Sequence, residues 1–505
     1  MSVERQQGEL YQRLLLDLDE SCAKSPRPEA SSDRVSGTSA FEEKQTLTEA
    51  NEPRALTGRQ VTDCEPVPMF LMEQIVERSN LNRAYYKVRS NKGWAGVDGM
   101  TVDQMRDWIA EHKETLIASL LEGSYQPSAV GGVQIPKPGG KGMRQLGIPT
   151  VIDRLVQQAI LQVPDPILDP TFSDSSYGFR KGRGAHDALL AASKYVGSGR
   201  TIVVDLDLAK FFDRVNHDIL LSRLARRISD KRLLRIIRRF LVAGLMADGV
   251  CVKRHEGTPQ GGPLSPLLAN LMLDDLDKEL ERRGHCFCRY ADDCNIYVRS
   301  QAAGERVLVS VTTLLETKLK LQVNRDKSAV AAVNERQFLG HRLMLDGNLT
   351  VAPGSLKRAK DRIGQMTRRN RGSSFERVLG EVNSFTTGWV TYFRHARCSG
   401  LLRNLEGWIC RKLRCYRLKQ CKRAKTIAKF LQKLGVSWNQ SWTTAACGKG
   451  WWRISGTPSA HHGMSNDWFE RLGFASLSVR YNTLKHQQKP PDTMSTSGGV
   501  GGRKP

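Results

Sequence analysis

The chain has 505 residues, 40% of them hydrophobic and 26% charged, enough for roughly three domains with cores of their own. Its 77 Lys and Arg outnumber 52 Asp and Glu, giving a formal net charge of +25 that repels itself unless a polyanion is nearby. No apolar run reaches the roughly 20 residues of a membrane span and no signal-peptide core follows Met1, so the expectation is a cytoplasmic protein with no membrane partner.

Residues 1–64 lack sustained periodicity after Leu14-Leu15-Leu16 and gather Ser, Thr, Glu and Pro, the composition of a flexible extension. Residues 102–109 have helical spacing, with Thr101 placed to cap the helix. Residues 133–144 are Gly/Pro-rich at their centre and read as a strand, a hairpin turn and a returning strand. Ile152, Leu155, Val156, Ala159, Ile160 and Val163 then recur at helical spacing. Residues 201–207 form a β-branched run ending in carboxylates, where Asp205 and Asp207 share one face and Leu206 points into packing. Two periodic helices follow, through residues 233–241 and 264–280. Residues 287–290 and 294–298 read as two strands meeting at a turn that carries Asp292 and Asp293. Strands and helices mixed in this order predict an α+β domain on an antiparallel sheet. From Lys357 to Lys425 the chain turns helical and basic, with nineteen Lys or Arg against four Asp or Glu, and Trp389, Tyr392, Phe393, Trp408 and Tyr416 interleaved. The eleven cysteines include no C-x-x-C pair, which suits reduced thiols better than zinc or disulfides. A polar tail is expected over residues 481–505.

Adjacent carboxylates on a tight hairpin are costly unless a cation sits there, although Asp is also an ordinary turn former. A hard divalent metal fits, since Mg²⁺ takes oxygen ligands from one or two carboxylates plus substrate phosphates. Nucleotidyl transfer to a 3′-hydroxyl uses two metals about 4 Å apart. Asp207 at the end of one strand, with Asp292 and Asp293 at the turn of another, could hold such a pair. Neighbouring side chains face opposite ways unless the turn re-aims one, and Asp292 ranks above Asp293.

Asp207-Leu208-Ala209-Lys210-Phe211-Phe212-Asp213 followed by Tyr290-Ala291-Asp292-Asp293 resembles the palm of a reverse transcriptase. Further segments follow in order: Gly96-Val97-Asp98-Gly99, Arg144-Gln145-Leu146-Gly147-Ile148-Pro149-Thr150 with Asp153-Arg154, Tyr177-Gly178-Phe179-Arg180, residues 257–266, and Phe338-Leu339-Gly340-His341. Together, over residues 82–477, they resemble the bacterial group II intron-encoded reverse transcriptase/maturase family. That resemblance implies an RNA-directed DNA polymerase that binds group II intron RNA, assists its splicing and copies it during retrohoming. Two Mg²⁺ ions, dNTPs, and a DNA target and primer would be its cofactor and partners, within a ribonucleoprotein. A right-hand architecture would place fingers and palm at residues 65–345, a helical thumb or maturase domain X at 346–440, and a small DNA-binding-like segment at 441–480.

By the same resemblance Asp207, Asp292 and Asp293 would be the catalytic metal ligands. Lys137 and Arg144, on the finger hairpin, would grip the triphosphate, where cations stabilise developing charge. Phe212 would lie beneath the incoming sugar and exclude a 2′-hydroxyl, and Gln260 would line the dNTP site; Phe212 reads equally as a core residue. Asn324 and Lys327 would meet the primer strand, although a surface lysine is commonly just solvated. Arg368, Arg369, Arg371 and Arg377 would bind RNA phosphates, while Trp389 and Phe393 fit a buried helix seam better than base stacking. No Cys- and His-containing nuclease segment follows Arg480, so no homing endonuclease is expected. Two other readings remain open: a non-catalytic RNA-binding splicing factor, and another bacterial reverse transcriptase of the retron, diversity-generating or CRISPR-associated kind.

Overall fold

The computed structural model describes residues 70–136, 142–247, 250–252 and 254–488. The extension expected over residues 1–64, Lys137, and the tail beyond residue 488 lie outside these residues. Among the described residues no helix is long and apolar enough to cross a membrane.

Helices α1 (Leu71–Val76), α2 (Arg78–Ser90) and α3 (Met105–Leu121) open the chain. Thr101 does not cap α3 as its position suggested. Residues 102–104 form a turn first, and the Thr101 N–H and hydroxyl donate to Gln104 Oε1 at 2.9 and 3.0 Å. Strands β1 (Val130–Pro136) and β2 (Met143–Ile148) pair antiparallel, with Ile135 opposite Arg144. Helix α4 (Val151–Leu161) follows at once, capped by Thr150, whose hydroxyl accepts from the Asp153 N–H. Asp153 is fully used in holding this corner, accepting from the Tyr125 hydroxyl at 2.8 Å and from Thr150 Oγ1 at 2.7 Å.

Helix α5 (Ala185–Gly197) leads to β3 (Ile202–Leu206). After β3 come α6 (His217–Ala225) and α7 (Lys231–Val242), then strands β4 (Leu245–Ala247) and β5 (Val250–Val252). β4 joins β1 in parallel, so the small sheet β2-β1-β4-β5 is mixed. Helix α8 (Ser265–Arg282), the hairpin β6 (Cys286–Tyr290) and β7 (Asp293–Val298), helix α9 (Gln301–Lys318) and strand β8 (Ala329–Ala332) complete the first half.

The central sheet has the order β6-β7-β3-β8 and is antiparallel throughout. Period-two alternation divides its side chains between two cores. Val204 and Leu206 of β3, with Cys294, Ile296 and Val298 of β7, face a core built from α1–α4 and α6–α9. Val203 and Tyr297 face the other way, onto a core shared with α5 and with the helices beyond residue 353. Strands β9 (His341–Leu343) and β10 (Leu349–Val351) lead into these helices: α10 (Pro353–Met366), α11 (Phe375–Tyr392), α12 (Ser399–Gln420), α13 (Ala424–Lys433) and α14 (Trp438–Ala445). Trp389 and Phe393 meet at 4.5 Å between ring centroids, and Phe393 is buried, so this pair is the helix seam that the spacing suggested. The last helix, α15 (Leu477–Gln488), runs past residue 481, where the tail was expected to begin. Tyr481 anchors it from a buried position, its hydroxyl donating to the Ala396 carbonyl at 2.7 Å.

Candidate active site

The site is set by strand register. Leu206 of β3 lies opposite Cys294 of β7, and Asp205 opposite Asn295. One step further, Asp207 leaves β3 toward the start of β7, where Asp293 pairs with Tyr290 across the hairpin. Ala291 and Asp292 form the two-residue link, and Ala291 stands in the left-handed region at φ 56°. Asp207, Asp292 and Asp293, from two separate strand ends, are thereby brought into one electrostatic cluster with Asp205.

The electrostatics record this crowding. Burial pushes the Asp293 carboxyl up to about 7, with Asp292, Asp205 and Asp207 adding to the shift. Asp292 is also raised, first by burial and then by Asp207, against pulls from Arg144 and Lys327. A raised carboxyl pKa favours the folded state most when the group is protonated. That contribution is lost as pH climbs from the ordinary carboxylate value toward about 7. A cation placed among these oxygens would relieve the repulsion.

Asp207 is held from below by a turn containing Asn324 and Lys327, the residues that the resemblance assigned to the primer strand. Its backbone N–H donates to Ser328 Oγ at 3.0 Å, and its carbonyl accepts from the Asn324 N–H at 2.8 Å. Its carboxylate accepts from Asn324 Nδ2 at 3.0 Å and pairs with Lys327 Nζ at 2.8 Å. Asn324 and Lys327 thus touch Asp207 itself, and Ser328 joins them. Asp205 is matched separately by Arg336, whose Nε donates to it at 2.9 Å. Period-two spacing placed Asp205 on one face with Asp207, but nothing in the sequence marked Arg336 as its partner.

All-oxygen donors of this kind suit a hard divalent cation. Among the described residues no three Asp, Glu, His or Cys side chains stand in finished ligand geometry, and Lys327 supplies countercharge at Asp207. Asp207, Asp292 and Asp293 are nevertheless the residues that could hold such an ion, given their shared crowding.

The loop at residues 257–262 packs between the segment after Asp207 and strand β2. Thr258 N–H donates to the Phe212 carbonyl at 2.6 Å and Gly257 N–H to the Val215 carbonyl at 2.8 Å. On its far side the Gln260 carbonyl accepts from the Gly147 N–H of β2 at 2.8 Å. Gly261, at φ 126°, passes so near β2 that a Cβ there would stand 2.5 Å from the Gly147 carbonyl oxygen. The loop therefore stitches Phe212 to the strand that carries Arg144. Phe212 is half-buried against the first core and meets buried Phe211 edge-on at 5.1 Å. Arg144 is exposed on β2, and its charge is felt at Asp292.

The basic helical region is more divided than its composition implied. Arg368 and Arg369 are exposed in the loop after α10. Arg371 donates to Glu381 at 2.7 Å and to the Met366 carbonyl at 2.8 Å, and Arg377 reaches the same carboxylate at 3.4 Å. Arg414 is buried, donating to the Met464 carbonyl at 2.8 Å. Outward on α12, Lys412 lies over Trp408 and Trp452 at 5.3 and 5.2 Å, and Arg411 lies over Trp452 at 4.2 Å.

Comparison with known proteins identifies the families of two segments of the chain. Residues 135–343 match the family described as reverse transcriptase (RNA-dependent DNA polymerase), and residues 356–435 match the group II intron, maturase-specific domain. Protein YkfC of Escherichia coli (strain K12) is 34% identical over 315 residues, covering 54% of this chain and 82% of YkfC. Group II intron-encoded protein LtrA of Lactococcus lactis subsp. cremoris is 40% identical over 196 residues, covering 39% of this chain and 32% of LtrA. The putative COX1/OXI3 intron 1 protein of Saccharomyces cerevisiae is 28% identical over 263 residues, 50% of this chain and 30% of that protein. Reverse transcriptases of this family use divalent metal ions. The chain carries a reverse transcriptase domain followed by a maturase domain, and it belongs to the group II intron-encoded reverse transcriptase/maturase family.

Proposed function

We propose that this protein extends a DNA primer on an intron RNA template by two-metal nucleotidyl transfer, and that it assists splicing of the same RNA before copying it in retrohoming. The observation that carries the reading is the register that delivers Asp207 to the Asp292–Asp293 turn, with the charge of Arg144 felt at Asp292 and the Gln260 loop tied to the Arg144 strand. Two Mg²⁺ ions, when bound, would acidify the primer 3′-hydroxyl and neutralise the triphosphate. The chain's own work is positional. Asp207, Asp292 and Asp293 present oxygens, while Arg144, together with Lys137, steadies the phosphates. Phe212 and Gln260 form the floor and wall for the sugar and base. Asn324 and Ser328 fix Asp207, and Lys327 is close enough to trade its contact with Asp207 for the primer strand.

Primer extension on an RNA template with Mg²⁺ and dNTPs tests the reading, and a protein that binds intron RNA yet makes no DNA would instead be a splicing factor. Within that assay, Phe212→Ala should erode preference for dNTPs over rNTPs by roughly tenfold or more, because the steric floor beneath the 2′ position is removed. Unchanged preference would make Phe212 a core residue only.

For RNA binding we propose the exposed arginines Arg368 and Arg369 as phosphate contacts, with Arg371 and Arg377 contributing from their shared partner Glu381. The complex would form a cytoplasmic ribonucleoprotein that also engages the DNA target. Affinity for intron RNA should fall steeply with salt, since each neutralised phosphate releases counterions. Replacing both Arg368 and Arg369 by Ala should flatten a log–log salt plot by about one unit for each phosphate no longer neutralised. An unaltered slope would remove these two residues from the interface.

A further inference from the structure

Arg289 stands on β6 two residues before Ala291 and is only 1% exposed. Every N–H of its guanidinium has a partner. Nε donates to Asp277 Oδ1 at 2.7 Å, and Nη2 donates to Asp277 Oδ2 at 2.6 Å and Ser176 Oγ at 2.7 Å. Nη1 donates to Asn270 Oδ1 at 3.1 Å and to the Ala291 carbonyl at 2.9 Å. Asp277, Asn270 and Ser176 are themselves buried. Asn270 uses its remaining amide group on the far side, donating to the Gly178 carbonyl at 3.0 Å.

The object gripped is the carboxylate turn. Ala291 is a non-glycine residue at φ 56°, a conformation that persists only where its surroundings impose it. On one face the Gly178 backbone presses so closely that a Cβ there would stand 2.2 Å from the Ala291 nitrogen. On the other, Arg289 holds the Ala291 carbonyl. Backbone bonds from Tyr177 N–H to the Arg289 carbonyl and from Arg289 N–H to the Ser175 carbonyl, both 2.9 Å, keep the two segments in register. The bond to the Ala291 carbonyl satisfies an N–H of a buried guanidinium, so the contact that completes the ion pair is also the one that fixes the turn.

We propose that Arg289 is a positioning residue for Asp292 and Asp293: by holding the Ala291 carbonyl within its network with Asp277, Asn270 and Ser176, it sets the left-handed turn that aims both carboxylates. This inference rests on the metal-binding role proposed above and extends it to a group that touches neither metal nor substrate. Ligand-orienting partners of this kind are worth about 10–100-fold in metal affinity.

Two variants test it. Arg289→Lys keeps a cation opposite Asp277 but loses the planar fork that reaches the turn. Asn270→Ser leaves the Asp277 ion pair whole and removes the Nη1 partner beside the Ala291 contact together with the bond to the Gly178 carbonyl, two supports of the same turn, so it reads the same role if the lysine variant fails to fold. In metal-free protein, hydrogen exchange across residues 286–298 reports the turn directly. Mn²⁺ affinity from the paramagnetic resonance of unbound Mn²⁺ reports the site, with Asp207→Asn marking what belongs to it. Arg289→Lys should weaken Mn²⁺ binding by about tenfold or more, and Asn270→Ser by several-fold, with faster exchange confined to the turn. Folded variants with turn exchange and Mn²⁺ affinity within about twofold of the parent would overturn the proposal, as would loosening spread evenly over the sheet. So would Mn²⁺ binding that is indifferent to Asp207→Asn. Primer extension run in parallel separates the two ideas. If the unsubstituted protein makes no DNA while Mn²⁺ affinity still follows Arg289, the polymerase reading fails and the positioning role stands.

Discussion

Asp207→Asn is expected to lower RNA-templated DNA synthesis by on the order of 10³-fold or more, while RNA binding stays within about twofold of the parent. The substitution is nearly isosteric, and the amide oxygen can still accept from Asn324 Nδ2, which meets Asp207 at 3.0 Å. What disappears is the negative charge, in a position only partly exposed and surrounded by other carboxylates. Removing the charge gives up the pairing with Lys327 and relieves the repulsion felt at Asp292 and Asp293, so the metal-free fold should change little in stability. Primer extension, filter binding and thermal melting on the same preparations check all three expectations. Joint loss of synthesis and RNA binding would mean that the sheet had unfolded, and would withdraw the assignment of Asp207 to chemistry.

The largest effect on stability should come from a different carboxylate. Asp277→Ala is expected to destabilise the fold by about 3–5 kcal/mol, because it leaves the Arg289 guanidinium buried without its counterion. Asp277 is fully buried on α8 and Arg289 nearly so on β6. Burial presses the Asp277 carboxyl upward, and the guanidinium pulls it back; with three contacts of 2.6–2.9 Å between them, the pair is ionised. Denaturant unfolding measures the loss. The double variant Asp277→Leu with Arg289→Met should recover much of it, since well-packed apolar pairs replace buried ion pairs at little cost. Recovered stability without recovered Mn²⁺ binding would separate the two tasks of this network. A single Asp277→Ala change costing less than about 1 kcal/mol would contradict the burial argument.

Much of the architecture was legible because strong periodic signals coincided with real packing faces. The run at residues 201–207, the two flanks of the Asp292–Asp293 turn and the Leu-rich helix α8 all became elements of the central sheet or its cover. The α+β class followed from their order. Helix α6 went unread, since His217, Asp218, Ser222 and Arg223 interrupt its apolar spacing. The three-residue strands β4 and β5 are too short to carry a period.

The candidate site was readable where it depends on single residue types at fixed points, and unreadable where it depends on tertiary approach. Asp207, Asp292 and Asp293 announced themselves as carboxylates at strand ends. Asp277 and Asn270 looked like ordinary polar positions on a periodic helix, and only the fold brings them beneath the turn. Arg289 was visible as a charge in a strand, but its burial was not. By contrast, the contact of Arg377 with Glu381 could have been foreseen, because the two stand four residues apart on one helix.

Crystallography can locate the metals themselves. Crystals of the protein with an RNA template, a 3′-deoxy DNA primer, an incoming dNTP and Mn²⁺ allow each ion to be placed by its anomalous scattering. Two peaks about 4 Å apart, ligated by Asp207 and Asp292 and bridged by the triphosphate, are the expected result. Ions bound elsewhere, or an occupied nucleotide site with Asp207 turned away from every metal, would contradict it.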